Sequence, residues 1–260
     1  MKFSKFNFRI IGLPLVRPFR TSFGTQTHRE VLIIEVVTQE NISGWAECVA
    51  MSEPLYSPEY VAGCLDLMKR FLIPVLNFES SAEQVATKLK PFLGGQMAKA
   101  ALETAILDAQ LKISNLSLAK YLGANKTKVE CGVSVGIADS IPKLIDEVSD
   151  YVEQGYRRIK LKIEPNWDYE PVKAVRNKWP EIPLQVDANQ AYSRNDGKLL
   201  ARLDEFNLLL IEQPLDEHDI LGHSQLAKIV KTPICLDESI ISLQSAQDAI
   251  EMQATSVINI

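Results

Sequence analysis

Four polar residues recur at one interval in the second half of the chain: Lys162, Asp187, Glu212 and Asp237, each 25 residues after the last. Each lies toward the downstream end of a short apolar run, within Ile159–Ile163, Ile182–Ala188, Leu208–Pro214 and Ile234–Ser239. Each run is followed by a stretch that reads as helix. A strand-then-helix unit repeated at this length predicts a β/α barrel, whose strand ends all return to one rim, where active sites are built. One lysine and three carboxylates are then expected to converge on one pocket. That set suits a divalent cation beside a proton-transfer group.

The rest of the chain narrows the function classes. With 46% hydrophobic residues in 260, there is enough apolar material for one large or two ordinary domains. Lys+Arg 28 against Asp+Glu 33 gives a net charge of -5. No basic stripe interrupts it, so nucleic acid is not an expected partner. Cys48, Cys64, Cys131 and Cys235 lack CxxC spacing and read as thiols of a reducing compartment. The Met1-Lys2-Phe3-Ser4-Lys5 start has no signal-peptide core, and no apolar run reaches membrane-spanning length. A cytoplasmic protein without a membrane partner is expected.

The chain changes character near residue 125, which predicts an α+β domain over 1–125 and a barrel domain over 126–260. In the first, Phe3–Ile11, Val31–Thr38 and Gly44–Cys48 read as antiparallel strands. Helices are expected over Pro58–Phe71, with Ser57 as N-cap and Pro58 at the first helical position, and over Met97–Ile113. A helical turn over Leu118–Leu122 is closed by Gly123. In the second domain, strands are expected near 129–135, 158–163, 183–188, 208–213, 233–238 and 256–260. Helices are expected between them near 139–154, 168–178, 195–205, 219–230 and 242–252. The fold class is α/β: an α+β domain, then a TIM-like barrel of about six strands, incomplete against the usual eight.

Residues i and i+2 of a strand share a face, so Lys160 and Lys162 both point into the pocket while Leu161 faces the helices. Two adjacent ammonium groups and partial burial both lower a lysine pKa, which makes a usable base. Alone, a Lys-x-Lys is a solvated strand edge, and one Asp after a strand is a helix N-cap. Three carboxylates at one phase are better explained as hard oxygen ligands for Mg²⁺ or Mn²⁺, since bare they would repel one another. Asn189, two residues past Asp187, shares its face as a further polar contact. Glu238 is expected to point away from Asp237.

The Lys-x-Lys followed by Asp, Glu and Asp on successive strands resembles the muconate-lactonizing subgroup of the enolase superfamily. Arg17-Pro18-Phe19-Arg20-Thr21-Ser22-Phe23-Gly24 is similar to that family's mobile capping loop, and Met97–Glu103 to its capping-domain helix. Pro-Phe-x-Thr-Ser-x-Gly and Lys-Leu-Lys-Ile-x-Pro look most like the o-succinylbenzoate synthases that double as N-acylamino acid racemases. The resemblance implies a capping domain and a barrel. It also implies α-proton abstraction from a small carboxylate substrate through an enediolate, and a dehydration step of menaquinone biosynthesis. By the same resemblance Lys162 would be the base and Lys160 its assistant, and Asp187, Glu212 and Asp237 would hold Mg²⁺. Ser134, Asn189, Arg20, Thr21 and Ser22 would contact substrate. Dipeptide epimerase and muconate cycloisomerase share these ligands and stand as alternatives, as does a non-catalytic fragment.

The family has a second lysine at the end of the sixth barrel strand, which the 25-residue beat from Asp237 places at about 261 or 262, beyond Ile260. The chain is therefore expected to be a C-terminally truncated member. Its two open sheet edges predict a homo-oligomer or an aggregation-prone chain. Racemisation needs proton carriers on both faces of the α-carbon, so dehydration is the activity expected to survive.

Overall fold

A computed structural model describes residues 1–260. The chain divides into two compact units, Met1–Arg17 with Thr27–Thr127, and Pro18–Gln26 with Lys128–Ile260. No helix is long and apolar enough to cross a membrane.

The first unit is built on a three-stranded sheet, β1 (Phe3–Thr21), β2 (Gly24–Thr38) and β3 (Ser43–Cys48), in that order. β2 and β3 pair antiparallel from Leu32↔Cys48 to Val37↔Ser43. Alternation puts Leu32, Ile34 and Val36 on one face with Ala46 and Cys48, and this face joins the core. Helices α1 (Val61–Leu67), α2 (Ile73–Leu76), α3 (Ala82–Leu89), α4 (Gln96–Ile113) and α5 (Leu118–Tyr121) follow, with a wide π turn over Met68–Leu72 linking α1 to α2.

Three sequence expectations change here. The segment read as a capping loop is the tip of long strands, with Ser22 and Phe23 alone forming the turn between β1 and β2. The first helix begins at Val61, because Tyr60 is extended and bridges to Met51. Ser57 instead accepts from the Glu59 amide at 3.2 Å, and the Glu59 carboxylate takes the free amides of Met97 and Ala98 at the start of α4, at 3.0 and 3.2 Å. Helix α3 has no counterpart among the expected helices, although Ser81 and Gln84 form a reciprocal capping box that marks its start.

α4 lies close on β3 because its buried face is largely alanine: Ala98, Ala101, Ala105 and Ala109. Gly44 completes the approach. A Cβ there would stand 2.1 Å from the Ala105 carbonyl oxygen and 2.5 Å from the Ala109 nitrogen.

The second unit holds six parallel strands in chain order, β4 (Gly132–Val135), β5 (Arg158–Lys162), β6 (Leu184–Asp187), β7 (Ile211–Glu212), β8 (Ile234–Leu236) and β9 (Val257–Ile258). Between them run α6 (Ile141–Glu153), α7 (Tyr169–Lys178), α8 (Gly197–Leu200, flanked by 3₁₀ turns), α9 (Ile220–Leu226) and α10 (Leu243–Glu251). All six expected strands are present, each shorter than the span expected for it. Ile159, Leu161, Leu184, Val186, Ile211, Ile234 and Leu236 pack with Val148, Val172, Val175 and Leu226 of the helices. The alternate residues Ser134, Lys160, Gln185, Glu212 and Cys235 line a cavity of about 330 Å³ on the other face. At the far end of the strands, Arg176 donates to the carbonyls of Phe206, Pro180, Ile182 and Asn207 at 2.8–3.2 Å, tying α7 to two loops.

Gly44→Ala tests the close approach of β3 and α4. The obstacle is helix backbone, so the variant should lose about 1–3 kcal/mol of unfolding free energy in a denaturant titration.

Candidate active site

Register decides what meets at the rim. Ser134 pairs with Lys160 across β4 and β5, Lys162 with Asp187 across β5 and β6, and Asp187 with Glu212 across β6 and β7. β7 and β8 pair last at Glu212↔Cys235, so Asp237 stands two residues beyond the end of that ladder.

The two lysines and two of the carboxylates form one ionic cluster. Lys160 Nζ lies 2.9 Å from Asp187 Oδ2 and 2.9 and 3.1 Å from the two Glu212 oxygens. Lys162 Nζ donates to Asp187 Oδ2 and Asn189 Oδ1, both at 2.6 Å. Glu212 is 2% exposed and Lys162 8%. The Asn189 amide returns a hydrogen bond to Asp187 Oδ1 at 3.1 Å. The Asn259 side chain reaches Glu212 Oε1 at 3.4 Å and also bonds Asp237.

Burial pushes the Glu212 carboxyl up to about 7, with the charge of Asp187 adding to it and Lys160 opposing. Burial and Asp187 likewise raise Asp237. For Asp187 burial also acts upward, but the charges of Lys162 and Lys160 hold it below the usual carboxylate range. Lys160 departs from the sequence expectation. Burial does lower it, yet the charges and hydrogen bonds of Asp187 and Glu212 win and hold it above the ordinary lysine value. The expectation counted the neighbouring cation and omitted the counter-charges.

The hairpin tip reaches this rim within the same unit. Ser22 Oγ donates to the Asn189 carbonyl at 3.1 Å, and the Phe19 ring centroid lies 6.0 Å from Lys162 Nζ. The Arg20 guanidinium turns instead to Glu164 at 2.9 Å, while its carbonyl accepts from the Ile137 amide. The Thr21 hydroxyl bonds Gly24 inside the tip. So Ser22 joins the cluster, and the polar groups of Arg20 and Thr21 are engaged at its margin. Ser134 Oγ is buried and has no hydrogen-bond partner.

Three buried polar residues absent from the expected site surround it. Glu238, expected to face away, is buried and accepts from Asn189 Nδ2 at 3.0 Å, with Oε2 left without a partner. Gln185 sits one level below Asp187 with its carbonyl oxygen buried and unpaired. Gln213 is fully buried behind Glu212. Asn189, Gln190 and Gln213 have φ of 41°, 68° and 37°, left-handed values that are uncommon outside glycine and concentrate at functional sites.

Asp187, Glu212 and Asp237 are three carboxylates at neighbouring strand ends, oxygen donors of the kind a hard divalent cation takes, and burial with the charge of Asp187 raises the other two. As the cluster stands, Lys160 lies between Asp187 and Glu212, and no three acidic, histidine or cysteine side chains are grouped at ligating distance. The residues fit a cation once that ammonium gives up its place between them.

Behind Glu212 the loop is fixed by His223, which is wholly buried on α9. Its Nε2 accepts from the Leu215 amide at 3.2 Å, so the ring proton sits on Nδ1, 2.8 Å from the Asp219 carbonyl. Burial lowers its pKa below the ordinary 6.5.

Residues 8–123 match the family described as "Mandelate racemase / muconate lactonizing enzyme, N-terminal domain", and residues 143–260 match "Enolase C-terminal domain-like". An N-succinylamino acid racemase of Amycolatopsis sp is 52% identical, over all of this chain and 71% of its own length. An o-succinylbenzoate synthase of Geobacillus stearothermophilus is 42% identical, over 97% of this chain and 68% of its own. The crystal structure of an enolase-superfamily member from Listeria innocua superposes with a TM-score of 0.94 at 39% identity, covering 100% of this chain and 71% of that one.

His223 makes stability pH-dependent. Its folded pKa is depressed, so the unfolded chain takes the proton first, and stability falls as pH drops below about 6.5, by up to about 1.4 kcal/mol per unit. The raised Glu212 carboxyl acts in the opposite sense over the same range, so the His223 contribution is read as a difference: in denaturant titrations between pH 7.5 and 5.5 the parent should lose stability relative to His223→Gln as pH falls.

Proposed function

The chain belongs to the enolase superfamily, in its mandelate racemase/muconate lactonizing enzyme branch, and from that premise we propose that it removes the proton α to a substrate carboxylate, as an o-succinylbenzoate synthase that also acts on N-succinylamino acids. One observation carries the proposal: a buried lysine ammonium, Lys162, stands at the strand ends beside Asp187, with Lys160 on the same face of the same strand and paired with both Asp187 and Glu212. Enolase-superfamily enzymes generally use a divalent metal ion, and the proposed ion is Mg²⁺, with Mn²⁺ as substitute. Asp187, Glu212 and Asp237 would hold it.

A divalent cation held by Asp187, Glu212 and Asp237 would supply positive charge for the substrate carboxylate as the α-proton leaves. Lys160, two residues away on the same face, keeps a second ammonium beside Asp187 and Glu212. Lys162 accepts the α-proton at Nζ. Asn189 Oδ1 keeps that nitrogen oriented, and Glu238 keeps Asn189 oriented through its side-chain amide. Ser134 Oγ, buried without a partner, is available to a polar group of the substrate. Ser22 and Phe19 of the hairpin tip screen the amine from water. Lys160 and Lys162 share one strand and hence one face of a bound substrate. Dehydration by removal of the α-proton and return of a proton to the departing hydroxide needs one face, which suits this arrangement.

Two measurements test the reading. Glu212→Gln should weaken Mg²⁺ binding in calorimetry by removing a charged oxygen ligand, and an unchanged affinity removes Glu212 from the metal set. Lys162→Ala should lower o-succinylbenzoate formation by on the order of 10²–10⁴-fold, the proton-transfer contribution. A variant as active as the parent assigns the base elsewhere.

A further inference from the structure

We infer that Gln213 is a positioning residue that sets where the Asp237 carboxylate stands relative to Glu212. The inference rests on the cation reading above and extends it to a residue that contacts neither substrate nor cation. The β7–β8 ladder ends at Glu212↔Cys235, and β8 itself ends at Leu236. The Asp237 amide therefore has no strand partner on the β7 side. The Gln213 side chain provides one. Its Oε1 accepts from the amides of Asp237 at 2.9 Å and Ser239 at 3.2 Å. Its Nε2 donates to Ser239 Oγ at 2.7 Å and to the Leu215 carbonyl at 3.2 Å. An amide has two donor hydrogens and an oxygen that accepts twice, so the group is saturated.

The backbone of Gln213 is fixed as well. Its amide donates to Cys235 O at 2.9 Å, and its carbonyl accepts from Gln190 at 2.8 Å. One residue thus spans the loops after β6, β7 and β8, the three loops that follow the proposed ligand strands. The left-handed φ of 37° lets a residue directly after the inward-facing Glu212 reach across to the neighbouring loop. A buried residue that merely filled space would need none of these bonds. Removing a partner of this kind behind a metal ligand usually costs affinity and leaves the fold in place.

The test uses Gln213→Met, which removes all four side-chain bonds at similar volume, and Gln213→Asn, which keeps the amide one methylene too short. Mg²⁺ affinity is measured by calorimetry, and amide hydrogen exchange is followed on the metal-free chain. Both variants should bind Mg²⁺ about 10–100-fold more weakly. The amides of Asp237 and Ser239 should exchange faster, while those of β5 and β6 keep their protection. Arg176→Lys, a change at the far end of the strands, should lower the melting temperature and leave Mg²⁺ affinity alone. If Gln213→Met does not fold, Gln213→Asn decides. Unchanged Mg²⁺ affinity in folded Gln213→Asn, or unchanged exchange at 237 and 239, overturns the inference while Asp237→Asn still weakens binding and the cation reading stands. A parent chain that binds no Mg²⁺, or an Asp237→Asn variant that binds as well as the parent, overturns both.

Discussion

Parallel pairing in register governs this molecule from Gly132 onward. Because Lys162 lies level with Asp187, and Asp187 with Glu212, residues 25 apart in sequence become neighbours at one rim. A slip of one residue in any of these ladders would turn a charged side chain into the helix-packed face and a leucine or valine into the pocket. The apolar residues enforce the register. Ile159, Leu161, Val186, Ile211 and Leu236 are essentially inaccessible to water, and their burial fixes which alternate residues face inward.

The charges brought together in this way would be unstable without compensation, and the chain supplies its own. Lys160 bridges Asp187 and Glu212, and Lys162 pairs with Asp187. The same lysines that neutralise the carboxylates are the proposed proton carriers. In the proposed reaction, a change of counter-charge at Asp187 and Glu212 would both free the proposed ligands and release the proposed base. The supporting hydrogen bonds run through residues that carry no reacting atom: Asn189, Glu238 and Gln213.

The 25-residue beat made the barrel strands and the inward lysines and carboxylates legible, because strand alternation is a local rule. Two of the three residues it missed lie where that rule stops; Gln185, two residues before Asp187 within β6, obeys it. Glu238 follows β8 after the strand has ended at Leu236, so it need not alternate with Asp237. Gln213 has a left-handed backbone, which redirects its side chain. The pKa direction of Lys160 depends on oxygens about three ångströms away on two other strands, a distance that sequence spacing does not encode. The start of α1 was misplaced for a similar reason: a bridge between Met51 and Tyr60 overrode a good local capping signal.

The central claim is that this cluster removes a proton from the carbon next to a carboxylate. Exchange of that proton with solvent reports the step directly, without requiring a completed reaction. The chain would be incubated in D₂O with an N-succinylamino acid, with Mg²⁺ or with a chelator, and the α-proton signal followed by NMR. The account predicts loss of the signal with Mg²⁺ and its persistence with chelator. A signal that persists with Mg²⁺ bound to the chain, or decays equally in chelator, would contradict it.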